Sequence, residues 1–265
     1  MKVWTIANQK GGVGKTTTSV TLGGLLVQMG LRTLLIDLDP HASMTSYFRY
    51  DPDAIEESVY SLFKAVADKQ PLSPDGIIQS TGIEGLDLMP AVMALATLDR
   101  QAGRLEGMGL VIKEAVMPLD AHYDYAIIDC PPILGVLMIN ALAACERLII
   151  PVQTEFLALK GLERMLHTLK MVLKSRRMDL PYTIVPTMYD MRTRASKESL
   201  KVLRENYADH IWQNLIPIDT RFRDASRAGI PPAMFDPNTR GVVAYGRLLQ
   251  YLQQGYRRSV SRLVV

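Results

Sequence analysis

The sequence has little of what marks secreted or membrane-spanning proteins. Its 265 residues include two cysteines, Cys130 and Cys145, too few for the disulfide framework of a secreted domain. No apolar run reaches the roughly 18 residues that a membrane-spanning helix requires. The first residues already have the pattern of a strand, so we expect no signal peptide. Repeats and low-complexity segments are also missing. These absences exclude disulfide-rich, membrane-spanning and repeat architectures and predict a cytoplasmic protein.

The bulk composition is that of one large globular unit. Hydrophobic residues make up 48% of the chain and charged residues 22%. A chain of this length and balance can bury a substantial core. We therefore expect residues 1–265 to form a single α/β domain.

Charge is distributed unevenly, although the net charge is only +3. Residues 1–191 hold 17 Lys and Arg against 21 Asp and Glu, whereas residues 192–265 hold 13 against 6. A basic final quarter predicts an anionic partner such as nucleic acid or a membrane surface, because clustered positive charge concentrates anions nearby. An ordinary solvated surface is an equally good interpretation of the charge alone.

The most informative motif is a glycine-rich loop near the N-terminus with the sequence NQKGGVGKTT. It ends in Gly14-Lys15-Thr16, the end of a phosphate-binding loop. Small residues let backbone N–H groups surround phosphate oxygens, Lys15 reaches the β- and γ-phosphates, and the Thr16 hydroxyl can hold Mg²⁺. The usual pattern has a glycine five residues before Gly14, where this chain has Gln9. A second lysine, Lys10, stands five residues before Lys15 instead.

The residues around the loop supply the context that a phosphate site needs. Residues 2–7 form a short, apolar, partly β-branched run that is typical of a buried parallel strand. Residues 16–29 carry apolar side chains close to helical spacing and end at Gly30. A strand, a glycine loop and a helix would place phosphates at a helix N-terminus, where backbone donors and the dipole favour an anion. A glycine-rich turn without a ligand is the alternative.

Two further predicted strands end in carboxylates. The apolar run at 32–38 leads into Asp37 and Asp39, and the run at 125–132 contains Asp129. Ligands of open α/β sheets bind at the carboxyl ends of the strands, so these side chains are candidates for holding Mg²⁺ and positioning water. Asp39 precedes a proline and could instead cap a helix. Further elements are predicted as strands at 86–89, 183–190 and 215–219, and helices at 55–67, 74–79 and 242–251.

Together, the lysine-first loop, the Asp-Leu-Asp-Pro segment and the strand ending in Asp-Cys-Pro-Pro resemble the deviant Walker A ATPases of the ParA/MinD family. Within that family the chain is most similar to the short, Soj-like ParA partition proteins. The likeness extends from residue 2 to about residue 247. It implies an α/β fold, a P-loop NTPase with a doubly wound, mostly parallel sheet flanked by helices. Because no helix-turn-helix module precedes the loop, we do not expect a sequence-specific repressor.

The resemblance implies a site for ATP and Mg²⁺. It assigns the phosphate contacts to the loop itself, that is to Lys10, Gly11, Gly12, Val13, Gly14, Lys15, Thr16 and Thr17. Contacts to adenine are assigned to Pro217 and Asp219, although the family more often has Asn at the second position. Contacts to the metal are assigned to Thr16, Asp37 and Asp129.

The resemblance further implies a slow ATP switch. Asp39 would orient the water that attacks the γ-phosphate, and Lys15 would contact the phosphates within its own subunit. Lys10 cannot easily serve a nucleotide that Lys15 already contacts. It would instead reach the phosphates of a second subunit across an ATP-bridged homodimer, much as an arginine finger does. The family most often has Gln where this chain has His41, which leaves the hydrolysis rate open.

The basic final quarter contains the positions at which the family contacts DNA. These positions correspond to Arg192 and Arg221, and Arg223 lies beside them. Phosphate contacts of this kind carry affinity without sequence information. The implied partners are therefore non-specific DNA, with the ATP-bound protein on the nucleoid, and an activator protein of the ParB type. The implied role is to segregate or position a chromosome, a plasmid or a protein cargo.

Other members of the wider group supply alternatives. MinD binds membranes through a C-terminal amphipathic helix, and the tail at 256–265 is a faint match with few bulky apolar anchors. Some ParA relatives position chemosensory or flagellar machinery. The nitrogenase iron protein shares the loop but holds a cluster through cysteines whose sequence contexts differ from those of Cys130 and Cys145. Enzymes similar to dethiobiotin synthetase share the fold, and no feature of this sequence marks a small-molecule acceptor.

Overall fold

The computed structural model describes residues 1–98, 107–176 and 179–263, of which 175–176 and 255–263 are described by their backbone alone. In these ranges seven strands form one sheet. The strands are β1 (Lys2–Ile6), β2 (Thr33–Asp37), β3 (Gln79–Ile83), β4 (Leu86–Met89), β5 (Tyr125–Asp129), β6 (Arg147–Gln153) and β7 (Tyr182–Thr187). Their order across the sheet is β3-β4-β2-β5-β1-β6-β7.

Parallel pairing brings the carboxyl ends of the central strands level with one another. Strand β1 pairs in parallel with β5 and β6, and β2 pairs in parallel with β4 and β5. Asp129 at the end of β5 is opposite Ile6 on one side and Asp37 on the other. Strand β3, at the edge, is antiparallel to β4. The register therefore places two buried carboxylates side by side, next to the loop that follows β1.

Helices cover both faces of the sheet. They are α1 (Lys15–Gln28), α2 (Ser43–Tyr47), α3 (Val59–Ala67), α4 (Val111–Val116), α5 (Val136–Ala144), α6 (Phe156–Arg176), α7 (Arg194–Asn206), α8 (Arg221–Ala228), α9 (Pro232–Phe235) and α10 (Arg240–Leu263). Short 3₁₀ turns lie at Pro74–Ile77, Met93–Thr97 and Met117–Ala121.

Each face of the sheet has its own apolar core, because successive side chains of a strand point to opposite faces. On one face Leu34 and Ile36 of β2 pack in a cluster with side chains of α3, α4, α5 and α6. On the other face Trp4 of β1 and Leu35 of β2 pack with side chains of α1 and α10. This is the doubly wound, mostly parallel sheet that the resemblance implied, and the prediction of the fold is confirmed.

Most predicted elements are present, with shifted ends. Helix α1 begins at Lys15 and stops before Gly30, whose φ angle is 76°. The helix predicted at 55–67 begins only at Val59, because Ser58 accepts a hydrogen bond from the amide of Tyr60 and caps it. The short helix at 74–79 is a 3₁₀ turn, and the segment at 242–251 lies inside α10.

The strand predicted at 215–219 is wrong. That segment makes an isolated parallel bridge between Tyr189 and Pro217. The amide of Tyr189 donates to Ile216 O and the amide of Ile218 donates to Tyr189 O, both at 3.1 Å. Pairing is limited because Pro217, like Pro186 of β7, has no N–H to donate to a ladder.

Within the described ranges, no helix is both long enough and apolar enough to cross a bilayer. The backbone of α10 continues into the C-terminal tail as far as Leu263. The amphipathic-tail hypothesis depends on the side chains of 256–265, which lie outside the described part of the structure.

Candidate functional site

The glycine-rich loop turns the chain directly from β1 into α1. Gly12 and Gly14 have φ angles of 73° and 89°, a left-handed backbone that residues with a Cβ atom rarely adopt. Gly14 is also the N-cap of α1, and its carbonyl oxygen accepts from the amide of Thr18 at 2.9 Å. The amides of the first helical turn have no acceptor within the helix, and such a turn is a favourable environment for an anion such as phosphate.

Lys15 begins α1 and is nearly buried, with 8% of its surface exposed. Its Nζ donates to the carbonyl oxygen of Lys10 at 3.3 Å, so the loop backbone curls around the ammonium group. An ammonium group has three donors, and the remaining ones can reach phosphate oxygens in the cavity that Lys15 lines.

Two buried polar residues that the sequence analysis did not identify hold the loop in place. The Asn8 amide nitrogen donates to Pro151 O at 2.8 Å, and the Asn8 Oδ1 atom accepts from the amide of Lys10 at 3.0 Å. Thr187, the last residue of β7, donates from its hydroxyl to Val13 O at 2.9 Å. The loop is thereby tied to two strands. A polar residue at the end of a buried strand was the available signal for Asn8, whereas nothing in the sequence connects Thr187 with the loop.

Asp129 lies behind the loop with one oxygen engaged and one free. The Thr16 hydroxyl donates to Asp129 Oδ2 at 2.5 Å, whereas the buried Oδ1 finds no donor among the described residues. Burial is the main cause that raises the pKa of Asp129, and the neighbouring carboxylate of Asp37 raises it further. A buried carboxylate oxygen without a partner, beside a threonine hydroxyl, is the donor set that a hard divalent cation requires.

No group of three or more His, Cys, Asp or Glu residues in the described ranges is arranged to hold a metal by itself. This suits Mg²⁺ in a nucleotide site, because that ion usually takes one or two carboxylate or hydroxyl oxygens and completes its shell with phosphate oxygens and water. The residues present therefore fit Mg²⁺ delivered together with a nucleotide.

Asp37 differs from Asp129 because the protein already satisfies both of its oxygens. Its Oδ2 accepts from the amide and the hydroxyl of Thr45 at 2.9 and 2.8 Å, and its Oδ1 accepts from the amide of Asp39 at 3.1 Å. Burial raises the pKa of Asp37, and the bonds from Thr45 oppose that rise. Asp37 thus orders the segment between β2 and α2, and its role as a metal ligand stays a prediction.

Asp39 lies just beyond β2 and is partly exposed. Its Oδ1 accepts from the backbone amide of His41 at 3.0 Å, and the His41 ring Nδ1 lies 2.9 Å from the same oxygen. Both residues line a cavity of about 530 Å³ together with Lys15, Thr16 and Thr17. The structure therefore brings the predicted water-orienting carboxylate onto the wall of the predicted phosphate site.

A second cavity of about 480 Å³ adjoins the first, and both are lined by Gly14, Thr17, Met188, Phe222 and Ser226. Its other walls include the segment 216–220 and Tyr245. The walls are largely apolar and aromatic, as suits the flat face of a nucleotide base. The sequence analysis did not identify Met188, in the bend after β7, or Phe222 and Tyr245, in helices α8 and α10, because isolated aromatic and sulfur side chains carry no motif.

Pro217 and Asp219, the predicted adenine contacts, both line this second cavity. The Asp219 carboxylate already accepts from the amide of Arg221 at 3.0 Å and from the amide of Gly241 at 2.9 Å. Asp219 therefore joins the starts of α8 and α10 as well as lining the cavity. Its contact with adenine stays a prediction.

Lys10 turns away from both cavities. Its Nζ forms an ion pair with Glu155 and lies 3.4 Å from Gln153 Oε1. Lys10 is not one of the described residues that line the two cavities. The side chain is partly exposed, at 28%. Within one subunit Lys10 is therefore held at the surface, beside the phosphate loop but outside its cavity.

The three predicted DNA-contacting arginines are all exposed and lie in different settings. Arg192 donates to both carboxylate oxygens of Asp190 at 2.9 and 2.8 Å. Arg221 pairs with Asp236 at 3.1 Å and Asp224 at 3.4 Å. Arg223 lines the second cavity.

Comparisons with known proteins agree with this geometry. Residues 1–182 match a family model described as an AAA domain. The chain is 38% identical over 245 residues to the sporulation initiation inhibitor protein Soj of Bacillus subtilis, covering 92% of this chain and 95% of that protein. It is 33% identical over 241 residues to the chromosome partitioning protein ParA of Myxococcus xanthus, covering 91% and 83%.

A solved structure extends the match to three dimensions. The cobyrinic acid a,c-diamide synthase of Mycobacterium smegmatis, solved with a bound ATP analogue and magnesium, has a TM-score of 0.82 at 32% identity. The match covers 97% of this chain and 96% of that one. The phosphate loop, the sheet order and the relatives lead to one conclusion: the chain belongs to the ParA/MinD family of P-loop partition ATPases.

Proposed function

We propose that the protein binds ATP with Mg²⁺ and hydrolyses it slowly to ADP and phosphate. The observation that carries the proposal is the unpartnered Oδ1 of buried Asp129, next to the Thr16 hydroxyl and the loop that surrounds Lys15. The free carboxylate oxygen and the Thr16 hydroxyl suit a divalent cation, whereas Lys15 and the loop amides suit phosphate oxygens. A nucleotide bound with a divalent cation supplies both. The bound ATP analogue and magnesium of the solved relative support the same choice of ligand.

Hydrolysis would proceed by attack of water on the γ-phosphorus. A P–O bond forms to the water oxygen, and the bond between the γ-phosphorus and the β–γ bridging oxygen breaks. ADP leaves with that electron pair, and the proton lost by the water ends on inorganic phosphate. Asp39 orients the water, while Lys15 and the loop amides neutralise charge on the phosphate oxygens. Bound Mg²⁺, held by Thr16 and Asp129, would polarise those oxygens as a Lewis acid.

We propose that Lys10 acts on the nucleotide of a second subunit. Glu155 and Gln153 hold it at the surface, and its own cavity already has Lys15 as a cation. In an ATP-bridged homodimer Lys10 would exchange Glu155 for the phosphates of the partner. The dimer would then last until the γ-phosphate is lost, which makes the ATP state a timer.

We propose that this ATP dimer binds DNA without sequence preference through Arg192 and Arg221, and that an activator protein of the ParB type shortens its lifetime. The basic final quarter of the chain supports a DNA partner, since phosphate contacts need only exposed cations. The protein would then be nucleoid-associated with ATP and free in the cytoplasm with ADP. That cycle would segregate or position a chromosome, a plasmid or a protein cargo.

The test is a mobility-shift assay on a duplex of arbitrary sequence with ATP, a non-hydrolysable analogue or ADP, at rising salt. We expect a shift with ATP and with the analogue but not with ADP, and an affinity that falls steeply as salt increases. ATP-independent or salt-insensitive binding would contradict the DNA part of the proposal. A parallel phosphate-release assay tests the hydrolysis part, which fails if no ADP forms.

A further inference from the structure

Asp39 and His41 form a hydrogen-bonded pair on the wall of the phosphate cavity. The backbone amide of His41 donates to Asp39 Oδ1 at 3.0 Å, and the ring Nδ1 lies 2.9 Å from the same oxygen. The Asp39 amide is itself fixed, because it donates to buried Asp37 at 3.1 Å. Both residues line the cavity with Lys15 and Thr16. The pair is therefore anchored to the sheet at one end and faces the cavity proposed to hold the phosphates at the other.

The two oxygens of the Asp39 carboxylate have different surroundings. Both bonds from His41 go to Oδ1, and no described residue donates to Oδ2. The Asp39 side chain is 13% exposed and the His41 side chain 79% exposed. Since a carboxylate is only an acceptor, Nδ1 must carry the proton in this contact. The ring thus holds one oxygen and leaves the other for water.

We propose that His41 is a positioning residue for hydrolysis. Its Nδ1–H fixes the Asp39 carboxylate in the orientation in which Oδ2 receives the attacking water. This inference rests on the proposed function, in which Asp39 orients that water. His41 acts through Asp39 and not on the nucleotide, so its loss lowers kcat and leaves the affinity for ATP unchanged.

The backbone and the ring of His41 have separable roles. The amide-to-carboxylate bond between residues 41 and 39 closes an Asx turn that any residue except proline can form at position 41. The ring is largely exposed and is not required for packing. Substitution at this position therefore removes the ring bond while the turn and the fold remain.

The experiment compares variants of the full chain by steady-state ATP hydrolysis and by nucleotide binding. His41→Ala is expected to lower kcat by about tenfold, the order of effect of one lost bond to a charged group, with the ATP KM within about twofold of wild type. His41→Asn restores most of kcat, because the Asn Nδ2 atom occupies the position of Nδ1. His122→Ala is the matched control, since His122 is also exposed but precedes β5 at the opposite end of that strand from Asp129.

A double-variant cycle tests whether His41 works through Asp39. Asp39→Ala is expected to lower hydrolysis to a small residual rate that single-turnover assays still measure, and Asp39→Ala with His41→Ala is expected to be no slower than Asp39→Ala alone. Unchanged kcat in His41→Ala, a change confined to KM, an Asn variant as slow as the Ala variant, or additive losses in the double variant would each overturn the inference. If Asp39→Ala is nearly inactive while His41→Ala is normal, only this inference fails. If Asp39→Ala hydrolyses ATP at the wild-type rate, the proposed role of Asp39 fails as well.

Discussion

The sheet edge beside the glycine-rich loop, called here the phosphate edge, and the basic final quarter both carry charges on which the proposed function depends, but they hold them differently. At the phosphate edge Lys15, Asp37 and Asp129 are 8%, 0% and 1% exposed. In the basic quarter the Arg192 side chain is 82% exposed and already paired with Asp190. Charges interact strongly where water is excluded and weakly where solvent and salt screen them.

This difference predicts two kinds of response to mutation. Water cannot take over the interaction between a buried charged side chain and a ligand, so removal of that side chain should eliminate a function. An exposed arginine shares its task with neighbours and counterions, so its removal should weaken binding by a limited factor. The following predictions test this contrast, from the largest expected effect to the smallest.

Lys15→Ala should have the largest effect. It removes the nearly buried ammonium group around which the loop curls, and it should reduce ATP affinity at least about 100-fold. Calorimetric titration with ATP and Mg²⁺ measures this loss. Lys160→Ala is the matched control, because Lys160 is exposed and forms its ion pair with surface Glu163. ATP affinity of the Lys15 variant within about threefold of wild type would refute the assignment of the loop.

Lys10→Ala should separate binding from dimerisation. Because Lys10 lies outside its own cavity, ATP affinity should change by less than about threefold, whereas hydrolysis should fall about 100-fold or more, as when an arginine finger is lost. Light scattering with a non-hydrolysable analogue measures the dimer. Glu155→Gln, which removes the partner that holds Lys10, should still dimerise and should do so at a lower analogue concentration. A dimer of undiminished affinity in Lys10→Ala would contradict the action in trans.

Arg192→Glu should weaken DNA binding by about tenfold while the ATP dimer persists. The slope of log affinity against log salt concentration should become shallower by about one, the value expected for one lost phosphate contact. The matched control is Lys201→Glu, since Lys201 is also highly exposed, at 74%, and pairs with Glu205 at 3.7 Å. Mobility shift at several salt concentrations measures both. Equal losses in the two variants would mean that general charge, not the position of Arg192, governs DNA affinity.

Arg223 makes the contrast sharper, because the structure places it on the wall of the second cavity. Arg223→Glu should therefore weaken ATP binding several-fold and reduce DNA binding only through the loss of the ATP state. Nucleotide titration and mobility shift at saturating ATP distinguish these effects. A DNA-binding defect that persists when the variant is saturated with ATP would show that Arg223 contributes to DNA binding directly.

Asp129→Asn should have the smallest effect on the stability of the nucleotide-free protein, and that effect should be stabilising, although the same change removes the carboxylate of the proposed Mg²⁺ site. Burial and Asp37 raise the pKa of Asp129 to about 8. Above the ordinary value of about 4, the folded state then binds this proton more tightly than the unfolded chain does, so stability is lost as pH rises towards about 8. The nucleotide-free Asn variant should melt roughly 2–8 °C above wild type near pH 8, with a smaller difference near pH 5. A lower melting temperature of the Asn variant at both pH values would refute the inference that the ionised Asp129 carboxylate destabilises the folded state.

The sequence predicted the arrangement of the glycine-rich loop and the strand ends well, and the rest of the fold and cavities only in part. Apolar runs that end in carboxylates locate strands and the sheet edge, so Lys15, Thr16 and Asp129 were predicted to lie together. The prediction of a strand at 215–219 is wrong. Its apolar residues have the composition of a strand, but prolines prevent a ladder of hydrogen bonds, and the segment forms only an isolated bridge in the described structure. The pairing of Lys10 with Glu155, which is 145 positions away, could not be predicted, because it requires β6 and the loop after β1 to be neighbours.

The sequence alone determined that this chain has a phosphate loop with two lysines, carboxylates at strand ends and a basic final quarter. Such features depend on neighbouring residues and on periodicity, which are present in the chain before it folds. Tertiary structure alone decided which carboxylate keeps an oxygen without a protein donor, since Thr45 and the amide of Asp39 satisfy Asp37 while Asp129 Oδ1 finds no donor in the described part of the chain. It also decided that Lys10 faces outward, because parallel pairing of distant strands sets which side chains meet at the edge of the sheet.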